Sequence, residues 1–149
     1  MTHTGLYEKN FEAAIEQYLL TEGGYTKGTQ TTYDKEKAID LDTLIRFIKD
    51  SQPKEWEKFE RKYGNGVKAQ LYKTMQGTIS KYGLIHTLRN GINDFGIALK
   101  LCYFAPTSTL NPELIDKYDK NILECTRQFV YSKDVNNSID MVLSLNGIP

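Results

Sequence analysis

Apolar positions recur at helical spacing through the first half of the chain. The spacing predicts four helices, over residues 6–21, 40–51, 53–63 and 67–82, with a shorter helical stretch after them. The apolar face of the first helix comprises Phe11, Ala14, Ile15, Tyr18 and Leu19. Pro53 fits the first turn of the third helix, and Gly64 and Gly83 stand where the third and fourth helices should end.

The second half of the chain changes to the two-residue period of β-strands. Alternation predicts a long strand over residues 94–104, a short strand over 126–132 and a third strand over 138–145. Between the first two, Asn111 and Pro112 are typical of a helix start, and that helix should run to about Leu123. Helices followed by strands indicate an α+β fold, with a helical first half packed on an antiparallel or mixed sheet. No linker divides it, so we expect a single domain over residues 1–149.

The last predicted strand ends at a hairpin signal. Asn146-Gly147 is typical of a two-residue turn, in which both central residues need positive φ. The turn predicts a strand that returns beside residues 138–145, yet only Ile148 and Pro149 follow in this sequence. The open edge should therefore pair with another chain or be covered.

Composition narrows the possible functions. The chain has 19 basic and 19 acidic residues, so its formal charge is zero. We see no basic stripe, and a stand-alone DNA-binding domain acting through bulk charge is disfavoured, although a local site stays open. No apolar run is long enough to span a membrane and the first residues are not typical of a secretion signal, so we expect a cytoplasmic protein without a membrane partner. Cys102 and Cys125 fit a reducing compartment, but their pairing stays open.

Several searches for catalytic motifs find nothing. The sequence contains no phosphate-binding loop and no dinucleotide-binding glycine pattern, and His86 is best interpreted as a structural or surface residue. Lysines and aromatic residues mix over residues 54–73, as they do on nucleic-acid-binding faces. The acids of this segment balance most of that charge, and Glu57 with Arg61 at i,i+4 favours a solvated helix face.

Asp140 is the residue with the sharpest chemical hypothesis. It stands near the head of the last strand, and an acid on a neighbouring antiparallel strand, about 4.8 Å away, could share a metal ion with it. Mg²⁺ prefers such hard oxygen ligands and commonly takes one or two carboxylates. The alternative is that Asp140 satisfies a loop N–H or protects the strand edge. From one residue and its strand alone, this structural alternative is favoured.

Three segments stand out in the C-terminal third: YFAPTSTLNPE, RQFVYS and above all SIDMVLSLNGIP. Through these segments the chain resembles the N-terminal region of the restriction (R) subunit of type I restriction enzymes. Three upstream segments fit the same family in order: FEAAIEQYLLTEGGY, DLDTLIRFIKDSQPKEWEKF and GLIHTLRNGINDFGIALKLCYF. The resemblance therefore covers nearly the whole chain.

The resemblance implies an endonuclease domain with a PD-(D/E)xK core. In that family a metal-binding Asp precedes an N-G-x-P turn and matches Asp140, while a Glu-x-Lys pair lies on the returning strand, which is absent here. The early helical Glu corresponds to Glu12 and is implied to be catalytic with Asp140; Glu16, one turn on, is expected to be a surface residue.

For the intact subunit, the resemblance implies Mg²⁺-dependent cleavage of double-stranded DNA. Cleavage would be coupled to translocation by an ATP-driven motor farther along the polypeptide, in complex with modification and specificity subunits. We therefore expect this sequence to be an inactive fragment of a nuclease. The alternative is a non-enzymatic docking module, in which the helical half from Asp40 to Tyr82 contacts the motor or the modification subunits and Asp140 is structural.

Overall fold

The computed structural model describes residues 3–149, with side chains from residue 4 onward. The fold is α+β, as predicted. Along the chain, the elements are α1 (His3–Thr21), β1 (Thr26–Lys27), α2 (Leu41–Ser51), α3 (Pro53–Tyr63), a 3₁₀ turn (Gly64–Gly66), α4 (Val67–Tyr82), α5 (Leu84–Asn90), β2 (Ile92–Asp94), β3 (Ile97–Leu99), α6 (Pro112–Asp119), β4 (Leu123–Val130) and β5 (Ser138–Leu145).

These elements form two compact units. The terminal unit consists of the residues up to Asp40 together with residues 122–149, and the central unit consists of residues 41–121. The expectation of a single domain over residues 1–149 stays a prediction.

The terminal unit packs α1 on a three-stranded mixed sheet in the order β1-β4-β5. β1 runs parallel to β4, and β5 pairs antiparallel with β4 at every position of its length except Asp140, opposite Gln128. Beyond β1, the Gln30 side chain continues the pairing, because its amide both donates to and accepts from the backbone of Val130. β5 is therefore an edge strand, and its other side stays open, as predicted from the sequence.

The central unit holds most of the buried apolar side chains. Its fully buried apolar members are Leu41, Leu44, Phe47, Ile48, Phe59, Leu71, Leu99 and Leu101. They lie on the inner faces of α2, α3 and α4, on β3 and on the segment after β3. Pro53 begins α3, and Gly64 and Gly83 end α3 and α4 at positive φ, which confirms these three boundaries.

Three predictions need correction. The long strand over residues 94–104 is instead a tight hairpin of β2 and β3, because the Phe95-Gly96 turn takes positive φ and Asn93 Oδ1 accepts from the Gly96 N–H. The helix that Asn111 caps ends at Asp119, so residues 120–123 do not continue it as predicted. Finally, α1 forms as predicted, but its apolar face is mostly solvent-exposed, with Phe11 68% accessible.

Candidate functional site

The Asn146-Gly147 turn forms at the end of β5. Asn146 has φ 52° and Gly147 has φ 83°, the positive values that a two-residue hairpin turn requires. Leu145 and Ile148 exchange two backbone hydrogen bonds, of 2.8 and 2.9 Å. After the turn the chain therefore runs antiparallel to β5, and the predicted hairpin turn is confirmed.

Both turn residues are also held from outside the turn. Asn146 is fully buried, and its Oδ1 accepts from the Ile122 N–H at 2.6 Å while its own N–H donates to the Ile122 carbonyl. The Gly147 carbonyl accepts from the Asp40 N–H, and a Cβ at Gly147 would lie 2.2 Å from the Asp40 oxygen. Residues with a bulkier side chain cannot replace Gly147 without moving the backbone.

Asp140 lies on β5 and is exposed to solvent. Within residues 4–149, no side chain or backbone group makes a hydrogen bond or an ion pair with its carboxylate. The residue opposite Asp140 on β4 is Gln128, which has φ 52°. The pairing of β4 with β5 is interrupted at this position and is regular on both sides of it. A non-glycine residue in this conformation is strained, and such strain is common beside functional sites.

Two further carboxylates occupy a shallow cleft on the sheet. Asp40 and Glu124 line this cleft together with Ser144 and Gly147. Side chains alternate along a strand, so Asp140 and Ser144 point to the same face of β5. They are four residues apart, about 13 Å along the strand at about 3.3 Å per residue. The cleft acids are therefore too far from Asp140 to share one ion with it.

Glu12 lies on α1 and forms an ion pair with Arg127 of β4. The distance from Arg127 Nη2 to Glu12 Oε2 is 3.0 Å, and both side chains are largely buried. Met141 is the β5 partner of Arg127, and alternation places the neighbouring Asp140 on the opposite face. The structure therefore does not bring Glu12 and Asp140 together, and the catalytic role of Glu12 stays a prediction.

Glu16 differs from its expected place on the surface. It is half-buried, and no described residue donates a hydrogen bond to its enclosed Oε2. It lies close enough to Cys125 to act on that thiol: burial raises the pKa of Cys125, the charge of Glu16 raises it further, and Arg127 opposes both. Arg127 is thus the cation that pairs with Glu12 and opposes the effect of Glu16 on Cys125.

Asp140 and Glu12, the two predicted site residues, differ in whether their carboxylates could bind Mg²⁺. Asp140 fits as one ligand because it is an accessible carboxylate on a strand edge that can accept a neighbour. Glu12 does not fit in this arrangement, because its carboxylate already binds Arg127. Among the described residues, no group of three or more His, Cys, Asp or Glu side chains could hold a metal ion.

A buried acid in the central unit escaped sequence reasoning. Asp94 is 3% exposed and accepts hydrogen bonds from the Tyr63 hydroxyl, from Gln70 Nε2 at 3.0 Å and from Thr74 Oγ1 at 3.1 Å. Burial alone would raise the pKa of Asp94, but these three bonds and the Lys62 charge together lower it. The bond to Asp94 raises the pKa of Tyr63 to about 12. With every oxygen satisfied, Asp94 stabilises the contact between α3, α4 and β2.

The remaining candidate residues are structurally ordinary. Cys102 and Cys125 are both buried and free, so the pairing left open by the sequence does not form. Glu57 and Arg61 form the predicted i,i+4 ion pair at 2.7 Å on an exposed face of α3.

Comparisons with known proteins add no family assignment. No protein family, no curated protein and no solved structure matches the chain. Of the helices in residues 3–149, none has both the length and the apolar character needed to cross a membrane.

Proposed function

We propose that the terminal unit is part of a Mg²⁺-dependent endonuclease, the DNA-cleaving region of a type I restriction R subunit. In this proposal Asp140 is a metal ligand, and a strand that follows the Asn146-Gly147 turn supplies the second carboxylate and a lysine. The observation that carries the proposal is the formed hairpin turn at the open edge of the strand that bears Asp140.

The register of this turn makes the proposal specific. Leu145 pairs with Ile148, so each step back along β5 corresponds to one step forward on the returning strand. Asp140 lies five residues before Leu145 and would face the position five residues after Ile148. Carboxylates on neighbouring antiparallel strands can then reach one ion, because such strands lie about 4.8 Å apart. The strained Gln128 opposite Asp140 adds support, because it loosens the ladder at that point.

In the proposed reaction, the residues of this chain mainly position the metal. Mg²⁺, when bound, would polarise the phosphodiester and stabilise the charge that develops during hydrolysis. Asp140 would hold it at the sheet edge, and Asn146 and Gly147 would fix where the returning strand begins. The whole protein would act in the cytoplasm on double-stranded DNA, with an ATP-driven motor and with modification and specificity subunits as partners.

The test uses the full-length protein encoded by the gene that contains this sequence. With Mg²⁺, ATP and the partner subunits, we expect cleavage of duplex DNA to fall by at least about 100-fold in Asp140→Asn and to stop on removal of the metal with EDTA. Asp134→Asn is the matched control, because Asp134 is an exposed acid on the connector between β4 and β5. Full cleavage by Asp140→Asn would refute the proposal, as would equal losses in both variants.

A second candidate function is a docking module without catalysis. It is favoured by the outer face of α1, where Tyr7, Phe11, Ile15 and Tyr18 recur every three or four residues and are all exposed. Rows of exposed aromatic residues on one helix face are typical of protein-contact surfaces. Under this alternative, Phe11→Ser would abolish co-purification with the partner subunits while Asp140→Asn leaves DNA cleavage unchanged.

A further inference from the structure

Charge is unevenly divided along the chain. Residues 61–112 contain seven of the 19 basic residues and only one of the 19 acidic residues, so the remainder holds twelve basic and eighteen acidic residues. The single acid is Asp94, which is buried and hydrogen-bonded. The zero net charge thus conceals a basic stretch, the range 61–112, in which basic residues outnumber acidic ones.

The basic stretch forms an exposed surface on α4 and α5. Lys73 and Lys81 lie two turns apart on α4, and His86 and Arg89 lie one turn apart on α5. The Tyr82 ring stacks on His86 with centroids 4.8 Å apart, which joins the end of α4 to the first turn of α5. We call Lys73, Lys81, His86 and Arg89 the basic surface.

The cations of this surface are not neutralised by neighbouring acids. Within the described residues, no carboxylate lies within ion-pair distance of Lys73, Lys81 or Arg89. Some other exposed cations of the central unit do have such partners: they are Lys58, Arg61, Lys68 and Lys120. The basic surface therefore keeps its positive charge available for an external anion.

The shape of α4 allows a close approach. Gly77 and Ser80 are exposed between Lys73 and Lys81, and a Cβ added at Gly77 would meet no atom within 4 Å. At about 1.5 Å of rise per residue, Lys73 and Lys81 are about 12 Å apart along the helix axis. This separation is about the width of the major groove of B-DNA, so the two lysines can reach phosphates on both sides of that groove.

We propose that the basic surface binds the phosphate backbone of duplex DNA without sequence preference. The binding energy would come from the release of counterions when lysine and arginine neutralise phosphates. This surface belongs to the central unit, whereas Asp140 belongs to the terminal unit, and the proposal needs no metal ion. A measurement of DNA binding in the absence of metal therefore tests this proposal separately from the proposed nuclease activity.

The experiment measures fluorescence anisotropy of a labelled random-sequence 20-base-pair duplex with the 149-residue protein in EDTA, over a range of salt concentrations. We expect binding at low salt that weakens steeply as salt rises. In the double variant Lys73→Gln/Lys81→Gln, affinity for the duplex at low salt should fall about tenfold. The slope of log affinity against log salt concentration should decrease in magnitude by about 2, because each lost phosphate contact removes about 0.9. The single tryptophan, Trp56, reports whether the central unit stays folded.

The matched control is Lys9→Gln/Lys27→Gln, which removes the same charge from exposed positions of the terminal unit. It should leave affinity within about twofold of the original. Equal losses in both double variants would overturn the proposal, because binding would then follow overall charge. Absence of binding at low salt would also overturn it, and so would equally strong competition by polyglutamate, which would indicate an acidic protein as the partner.

Discussion

Replacing Asp94 with alanine tests the account of the central unit most sharply. The substitution removes an acid that is 3% exposed and leaves Tyr63, Gln70 and Thr74 without their shared acceptor. A hydrogen bond to a charged group contributes about 1.5–3 kcal/mol, and a buried donor left without an acceptor costs about 1–3 kcal/mol. Since some donors can reorient toward solvent, we expect a total loss of about 3 kcal/mol in the free energy of unfolding.

Urea denaturation followed by Trp56 fluorescence measures this loss directly. Trp56 is the only tryptophan and is 4% exposed in the same unit, so its emission reports the unfolding of that unit. The control is Asp116→Ala, which breaks only an exposed i,i+4 pair with Lys120 and should cost under about 0.5 kcal/mol. A loss below about 1 kcal/mol in Asp94→Ala, or one equal to that of the control, would refute the reasoning.

The same cluster predicts the dependence of stability on pH. Because the folded-state pKa of Asp94 is lowered, its contribution is present above its ordinary pKa and is lost as pH falls toward the folded-state value. Because the pKa of Tyr63 is raised to about 12, its contribution is complete below about 10 and is lost as pH rises from about 10 to about 12. Tyr63→Phe should reduce the alkaline loss, and unchanged alkaline unfolding in that variant would contradict the assignment.

Three further substitutions test the remaining contacts. Gly147→Ala should lower the free energy of unfolding of the terminal unit by at least about 2 kcal/mol, since a Cβ at this positive φ would overlap the backbone carbonyl oxygen of Asp40. Hydrogen exchange of the β5 amides should therefore accelerate, and unchanged protection would contradict the turn geometry. Gly77→Ala, in open space within α4, should instead stabilise the central unit by about 0.5–1 kcal/mol in the Trp56 assay, and destabilisation would show that its surroundings are crowded. Arg127→Ala leaves Glu12 without its cation and should cost about 1–3 kcal/mol in the free energy of unfolding, measured by hydrogen exchange of β4, whereas Arg127→Lys should restore part of this loss.

Features determined by local chemistry were predictable from the sequence. The Asn146-Gly147 turn was predicted because positive φ at two successive residues selects these side chains, and the starts and ends of α3 and α4 follow from proline and glycine in the same way. Positive φ at Phe95 was not predictable, because bulky residues rarely adopt it. That one residue turns an apparent long strand into a hairpin, with Phe95 85% exposed at its tip.

Features determined by tertiary contacts were not predictable. The apolar spacing of α1 identifies which side of the helix is apolar, but it does not say that this side faces solvent. The partners of Asp94 come from α3 and α4, and the partner of Glu12 lies on β4, so neither contact leaves a local pattern in the sequence. The basic surface did leave a signal, the run of residues without acids after Glu60, but the net charge of the whole chain conceals it.

The central claim is that Asp140 is one ligand of a metal site completed by a returning strand. Calorimetric titration of the full-length protein with Ca²⁺, which binds carboxylates through the same hard oxygen chemistry, measures this without relying on cleavage. We predict that one binding event disappears in Asp140→Asn and persists in Asp134→Asn. Identical titrations of the unsubstituted protein and Asp140→Asn would contradict the claim.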